Sequence, residues 1–153
     1  MKTTLLMIAL AVAFTASAAS KADFSGAWVF NPGKSKNIGM MASVEYTSTI
    51  TQTAKFVVVQ DSTAFNGQKQ SHETRYDLAG TSVPNESLMG EKARTTSRWS
   101  GTKLITVWET DGAVAGTKVV RTETRYLSND GKTMYVESAR ANKDPMVIVF
   151  DRK

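Results

Sequence analysis

The chain has 153 residues with 41% hydrophobic residues, no cysteine, one histidine and a formal net charge of +5. The lack of cysteine excludes disulfides, thiol nucleophiles and a lipoprotein-type anchor, and a single histidine excludes a multi-histidine zinc site. The basic residues are interspersed with acidic and hydroxyl-bearing residues instead of forming a stripe, so we expect no nucleic-acid partner.

Residues 1–22 have the pattern of a Sec-type signal peptide. Lys2 precedes an apolar run over residues 5–14, and Ala16-Ser17-Ala18 supplies the small residues of a cleavage site. The run is too short to span a bilayer comfortably. We expect cleavage after about residue 18–22, which leaves residues 23–153 as a single domain in the periplasm or outside the cell.

The first predicted strand covers residues 24–30. Phe24, Gly26, Trp28 and Phe30 alternate with smaller side chains and therefore share one face. A glycine two residues before a tryptophan leaves room for the large indole, which suits the narrow end of a barrel.

A long connection follows over residues 31–42, with a proline and two glycines. Met40 and Met41 give this polar loop an adaptable apolar element. Two interpretations stay open: a flap over a barrel mouth, or a surface loop that packs its methionines onto the body.

The remainder of the chain reads as short strands separated by glycine-containing turns. A weaker strand over residues 81–83 is predicted to end at Pro84, and a helical turn is conceivable over residues 86–91. The main strands are predicted at residues 44–50, 55–60, 70–78, 92–99, 103–110, 117–126, 133–139 and 146–151. This spacing predicts an all-β protein, an antiparallel up-and-down meander barrel of 8–10 strands.

One tetrapeptide occurs twice in the chain. Glu-Thr-Arg-Tyr stands at residues 73–76 and again at residues 123–126. The flanking sequences differ, so a repeat of two half-barrels and a coincidence between similar strands are both open.

Charged residues fall on one face in three of the predicted strands. Because an unpaired buried charge is costly, we expect the neutral faces to point inward. In the strand at 117–126 this places Tyr126 inside and Glu123 and Arg125 outside. The neutral faces carry many hydroxyls beside aromatic rings, so the interior is not purely apolar.

We therefore predict a cavity suited to a mostly apolar molecule with a few polar groups. Its predicted ligand-binding residues are Trp28, Tyr46, His72, Tyr76, Trp99, Trp108 and Tyr126. One alternative is a barrel filled by its own side chains or by water. Another reverses the faces and turns Arg75, Arg98 and Arg125 inward as receptors for an anionic head group.

The first strand also carries a family resemblance. Gly26-Ala27-Trp28 resembles the Gly-x-Trp of the calycin-like barrels, the lipocalins and fatty-acid-binding proteins. More of the chain, including residues 24–28, 31–35, 125–127, 130–134 and 146–150, is similar to small exported bacterial proteins of mostly uncharacterised function.

The resemblance implies an up-and-down barrel that encloses a ligand. The chain departs from the lipocalins in lacking a clear second motif around a Thr-Asp-x-Tyr turn. Fatty-acid-binding proteins use Arg-x-Tyr for a carboxylate, whereas Arg125 and Tyr126 are adjacent here.

The combined expectation is non-enzymatic binding or carriage of a small amphipathic ligand in the cell envelope, with no cofactor and no metal. The enzymatic exception would be a hydrolase that uses His72, but no Gly-x-Ser-x-Gly elbow presents a serine. The alternative function is an envelope protein–protein interaction module with a side-chain-filled barrel. Charged or hydroxyl-bearing strand faces argue against an outer-membrane barrel.

Overall fold

The computed structural model describes residues 20–153, which form ten antiparallel strands in one sheet. The strands are β1 (Gly26–Phe30), β2 (Glu45–Gln52), β3 (Phe56–Phe65), β4 (Gln68–Asp77), β5 (Val83–Glu86), β6 (Lys92–Ser100), β7 (Lys103–Asp111), β8 (Lys118–Leu127), β9 (Thr133–Arg140) and β10 (Met146–Arg152). Their order in the sheet is β4-β3-β2-β1-β10-β9-β8-β7-β6-β5. The predicted up-and-down barrel is confirmed. Most of the predicted signal peptide lies outside the described residues.

The predicted strands match the observed ones closely except at β3 and β5. β3 runs on to Phe65, where Asn66 and Gly67 adopt φ angles of 49° and 77°, the positive values that a tight hairpin turn requires. β5 includes Pro84, where the sequence predicted a strand end. Proline is accommodated because β5 forms a backbone ladder with β6 alone, as an edge strand does. Extended chain and turns replace the conceivable helical turn after β5.

The narrow end of the barrel is closed around Trp28. Its indole Nε1 donates to the Phe24 carbonyl at 2.9 Å, and Phe24, Trp28 and Leu104 are all fully buried. The Arg152 guanidinium covers the Trp28 ring at 4.2 Å and donates to the Ser25 carbonyl at 2.7 Å.

Gly26 is needed for this arrangement, although not for the reason predicted. Its φ of 128° disfavours other residues, and a Cβ there would lie 2.8 Å from Arg152 Nη1. The glycine therefore makes room for the guanidinium that covers Trp28, and not for the indole itself.

The barrel closes between β4 and β5, the two ends of the sheet, without a backbone ladder. The Asn85 side chain takes the place of a strand: its Oδ1 accepts from the Arg75 backbone N–H at 3.1 Å, and its Nδ2 donates to the Arg75 carbonyl at 2.8 Å. The same amide lies 2.6 Å from Thr95 Oγ1 on β6. His72 Nε2 donates to the Glu86 carbonyl and forms a second link across this seam.

Replacing Asn85 by alanine is expected to open the seam. The Asn85→Ala variant should lose about 1–3 kcal/mol of unfolding free energy in urea, because Arg75 loses its backbone partners. The Arg75 amide should also exchange its hydrogen faster. Asn129→Ala, an exposed turn substitution, is the matched control. Unchanged Arg75 exchange in Asn85→Ala would contradict the bridging role.

Candidate functional site

The inward faces of β4 and β6 are those predicted from the charge pattern. Thr74 and Tyr76 of β4 are buried, as are Ala93, Thr95 and Ser97 of β6. Both strands therefore present neutral side chains to the interior and charged ones to solvent.

The predicted facing of β8 is wrong. Glu123 and Arg125 are the buried side chains of this strand, at 8% and 6% exposure. Their burial is tolerated because Arg125 Nη2 lies 3.1 Å from Glu123 Oε1, so each charge has a partner. Tyr76 from β4 donates its hydroxyl to the same carboxylate oxygen at 3.4 Å.

Tyr126 consequently lies on the outer face of the barrel. Its ring stacks on Tyr135 with centroids 5.0 Å apart, and Lys103 Nζ lies 4.4 Å from its centroid. Its hydroxyl donates to Glu137 Oε1 at 2.6 Å. Partial burial, together with the Glu137 carboxylate, raises the pKa of Tyr126 to about 12.

The barrel encloses a cavity of about 690 Å³. Apolar side chains from β2, β3, β9 and β10 form much of its wall, and polar ones concentrate on β3, β4 and β8. The wall includes Tyr46, Ser48, Val59, Asp61, Thr74, Tyr76, Trp108, Arg121, Glu123, Arg125, Met134, Val136, Ile148 and Phe150.

The mouth of the cavity lies at the end opposite Trp28. A 3₁₀ turn (Gly39–Ser43) and the β5–β6 loop contribute to its rim. Met40 and Met89 on the rim are 88% and 92% exposed. Met41, which packs partly against the core, also lines the cavity. The long connection after β1 is therefore part of the mouth, as the flap interpretation requires.

The seven predicted site residues fall into two groups. Tyr46, Tyr76 and Trp108 line the cavity, so their contact with a ligand stays a prediction that the geometry favours. The other four do not line it. Trp28 lies in the closed end, Trp99 stacks on Phe24 and borders a shallow cleft outside that end, His72 links β4 to β5, and Tyr126 faces outward.

The reversed facing considered as an alternative holds for one arginine of three. Arg125 lies inside, whereas Arg75 and Arg98 are exposed. The sequence interpretation also missed Ser48 and Asp61. Asp61 continues the alternation of Val57 and Val59, and this alternation would have placed it inside had the strand been extended past residue 60.

The polar part of the cavity wall contains three acidic or basic side chains that are almost completely buried. Asp61 is 8% exposed and joins Glu123 and Arg125. Burial raises the pKa of Asp61 above its usual value, although the nearby Ser48, Arg125 and Tyr46 partly offset this effect. Burial also raises the pKa of Tyr76 far above the usual tyrosine value, so its phenol stays protonated.

Four buried polar atoms on this wall form no hydrogen bond of 3.5 Å or shorter within residues 20–153, although Ser48 and Asp61 are cross-strand partners and the Ser48 hydroxyl lowers the pKa of Asp61. They are Ser48 Oγ, Asp61 Oδ1, Trp108 Nε1 and Arg125 Nε. Two of them are N–H donors and one is a carboxyl acceptor. Because unpartnered buried polar groups are costly, a molecule that enters the cavity gains by pairing with them.

Three solved structures show the same architecture. The REP1-NXSQ fatty acid transporter superposes with a TM-score of 0.66 at 16% identity, over 84% of this chain and 95% of its own. Human cRBP IV superposes with a TM-score of 0.64 at 15% identity, over 86% of this chain and 99% of its own. The Schistosoma mansoni fatty acid binding protein in complex with arachidonic acid superposes with a TM-score of 0.66 at 15% identity, over 90% of this chain and 99% of its own.

At these identities the likeness shows the fold alone, and it confirms the calycin-like barrel that the resemblance implied. No family model matches the chain. No curated protein matches it either. Among the described residues, no helix is long and apolar enough to cross a bilayer.

The Asp61→Asn substitution is expected to stabilise the fold at neutral pH. Burial raises the folded-state pKa of Asp61, so the folded protein holds this proton to higher pH than the unfolded chain does. Stability is therefore lost as pH rises from the unfolded-state pKa, near 3.8, through the folded-state pKa. Asparagine cannot ionise, so the variant does not suffer this loss.

Urea unfolding at about pH 7 and about pH 3.5 checks this expectation. At the higher pH the Asp61→Asn variant should have a larger free energy of unfolding than the wild type. This difference in free energy should shrink at the lower pH. Asp144→Asn, in the exposed turn before β10, should leave the free energy of unfolding unchanged at both pH values. A destabilised Asp61→Asn variant at neutral pH would show that the Asp61 carboxylate has stabilising partners in the folded protein.

Proposed function

We propose that this protein binds a small, mostly apolar or amphipathic molecule inside the barrel without converting it chemically. The observation that carries the proposal is the cavity of about 690 Å³. Its size lies within the range typical of small-molecule sites, which combine an apolar wall with a few polar groups. The unpartnered atoms of Ser48, Asp61 and Trp108 supply such polar groups.

The names of the similar structures support the same ligand class. One is named a fatty acid transporter, and another was solved in complex with arachidonic acid. We therefore place a lipid-like molecule first among the candidate ligands of this chain.

The site offers little support for an enzyme. His72, the residue on which a hydrolase would depend, donates its Nε2 hydrogen to the Glu86 carbonyl at the β4–β5 seam. It does not line the cavity. The cavity also weighs against an interaction module whose barrel is filled by its own side chains.

Tryptophan fluorescence can locate the ligand, because Trp108 alone of the three tryptophans lines the cavity. Titration with arachidonic acid and with dodecanol should change the emission of the wild-type protein. The change should be largely lost in Trp108→Phe and kept in Trp99→Phe, the matched control at the closed end. Native mass spectrometry should show one ligand per chain.

Binding in the cavity is contradicted if neither compound binds. It is also contradicted if the emission change survives in Trp108→Phe and disappears in Trp99→Phe, since the ligand would then lie outside the closed end.

We further propose that the protein works in the cell envelope after removal of a signal peptide. The basis is the Lys2, apolar run and Ala16-Ser17-Ala18 pattern. The folded domain begins close to the proposed cleavage region, because Gln52 donates to the Ala22 carbonyl at 2.8 Å and accepts from the Phe24 N–H at 3.0 Å.

Intact-mass measurement of protein purified from its own cells tests this proposal. Within the predicted range of residues 18–22, we expect cleavage after one of residues 18–21. Cleavage after residue 22 would remove the Ala22 carbonyl that accepts from Gln52. Ala16→Arg together with Ala18→Arg should block cleavage after residue 18, the site that the Ala16-Ser17-Ala18 pattern predicts, and leave the full-length mass if this site is the one used. A full-length mass for the unsubstituted protein would refute removal of the segment.

A further inference from the structure

The charge balance of the cavity's polar wall limits the head groups that the cavity can accept. Arg125 lies two residues before the end of β8 that borders the closed end, so it is deep in the cavity. Its guanidinium is paired with Glu123 at 3.1 Å. Tyr76 donates to the same carboxylate and places its ring 5.5 Å from the guanidinium. The positive charge of Arg125 is thus already neutralised within the protein.

Asp61 adds a further acidic group to this wall. With Asp61 ionised, the three buried groups sum to one negative charge, and with Asp61 protonated they sum to zero. In neither state does the deep wall hold surplus positive charge. A ligand carboxylate placed here would lose its hydration and meet no free cation, which is costly in a buried site.

The unpartnered atoms define what the wall can recognise instead. Trp108 Nε1 and Arg125 Nε are donors that need an acceptor, and Asp61 Oδ1 is an acceptor when ionised. Ser48 Oγ can act in either sense. A neutral group that both accepts and donates, such as a hydroxyl or a primary amide, can pair with either kind of atom.

We propose that the cavity selects an uncharged amphipathic molecule, with a hydroxyl or amide head group at the Asp61–Trp108–Arg125 wall, over a fatty-acid anion. This proposal rests on the proposed function, since it names the ligand class of the same cavity. The apolar wall around Val136, Ile148 and Phe150 then receives the hydrocarbon part.

Two arginines near the mouth compete with this wall for an anionic head group. Arg121 on β8 and its cross-strand partner Arg140 on β9 both line the cavity, and neither forms a salt bridge within residues 20–153. The Arg121 guanidinium lies 4.5 Å from the Trp108 ring. A carboxylate ligand bound near the mouth would use Arg121 or Arg140 and would not use the deep wall.

The test compares three ligands with the same hydrocarbon chain: dodecanol, dodecanoate and dodecylammonium. Isothermal titration calorimetry of the mature protein near neutral pH should give the tightest binding for dodecanol, by about tenfold over dodecanoate, or about 1.4 kcal/mol. Glu123→Gln frees the Arg125 charge and should raise dodecanoate affinity several-fold while leaving dodecanol affinity much less changed. Glu73→Gln, on the outer face of β4, should leave all three affinities as in the wild type.

Each outcome has a distinct meaning. If none of the three compounds binds, the ligand class proposed here is wrong, and the proposed function fails as well if arachidonic acid does not bind. If dodecanoate binds as tightly as dodecanol, the ligand class proposed here is wrong, and loss of that binding in Arg121→Met or Arg140→Met would place the head group at the mouth. Tightest binding of dodecylammonium would instead make the site a cation receptor built on Asp61. If Glu123→Gln fails to fold, the ranking of the three ligands in the wild-type protein still decides the proposal.

Discussion

Closure of the sheet is the constraint on which the remaining structure depends. Ten strands end in two edges, β4 and β5, and these edges meet without a backbone ladder. Asn85 satisfies the Arg75 backbone with its side-chain amide, and His72 adds a second bond across the seam. Once the barrel is closed, successive side chains along each strand point alternately into the enclosed space and into solvent. The interior chemistry is therefore a consequence of this closure.

The sequence predicted the architecture well because its signals are local. Alternating strands separated by glycine turns required no knowledge of distant contacts, and Phe24, Trp28 and Phe30 are buried together as their spacing indicated. The errors occurred where a distant partner decides the outcome. Pro84 continues a strand because β5 pairs on one side only, and Gly26 accommodates Arg152 from the far end of the chain.

The repeated Glu-Thr-Arg-Tyr tetrapeptide shows why the residues of the candidate site could not all be predicted from the sequence. In β4 its threonine and tyrosine face inward and its charges face solvent, whereas in β8 the charges face inward and the tyrosine faces out. The same four residues thus adopt opposite facings, so no local rule can place them. The two copies meet in the interior, where Tyr76 of one copy donates to Glu123 of the other. Tyr46, Tyr76 and Trp108 were predicted on the cavity wall, and extending the β3 alternation past residue 60 would have added Asp61. The burial of Glu123 and Arg125 could not be predicted, because it depends on the contact between the two charges.

The buried charges make more physical sense as a recognition surface than as a stabilising feature. A buried ion pair is often no better for stability than well-packed apolar residues of similar volume. Here the Glu123–Arg125 pair borders a cavity. Apolar side chains in place of the pair would also fill part of this cavity and gain packing contacts that the present wall lacks. Asp61 Oδ1, Trp108 Nε1 and Arg125 Nε add the cost of unpartnered polar atoms. A polar ligand group at this wall offsets these costs together, and the fold is then most stable in its liganded state.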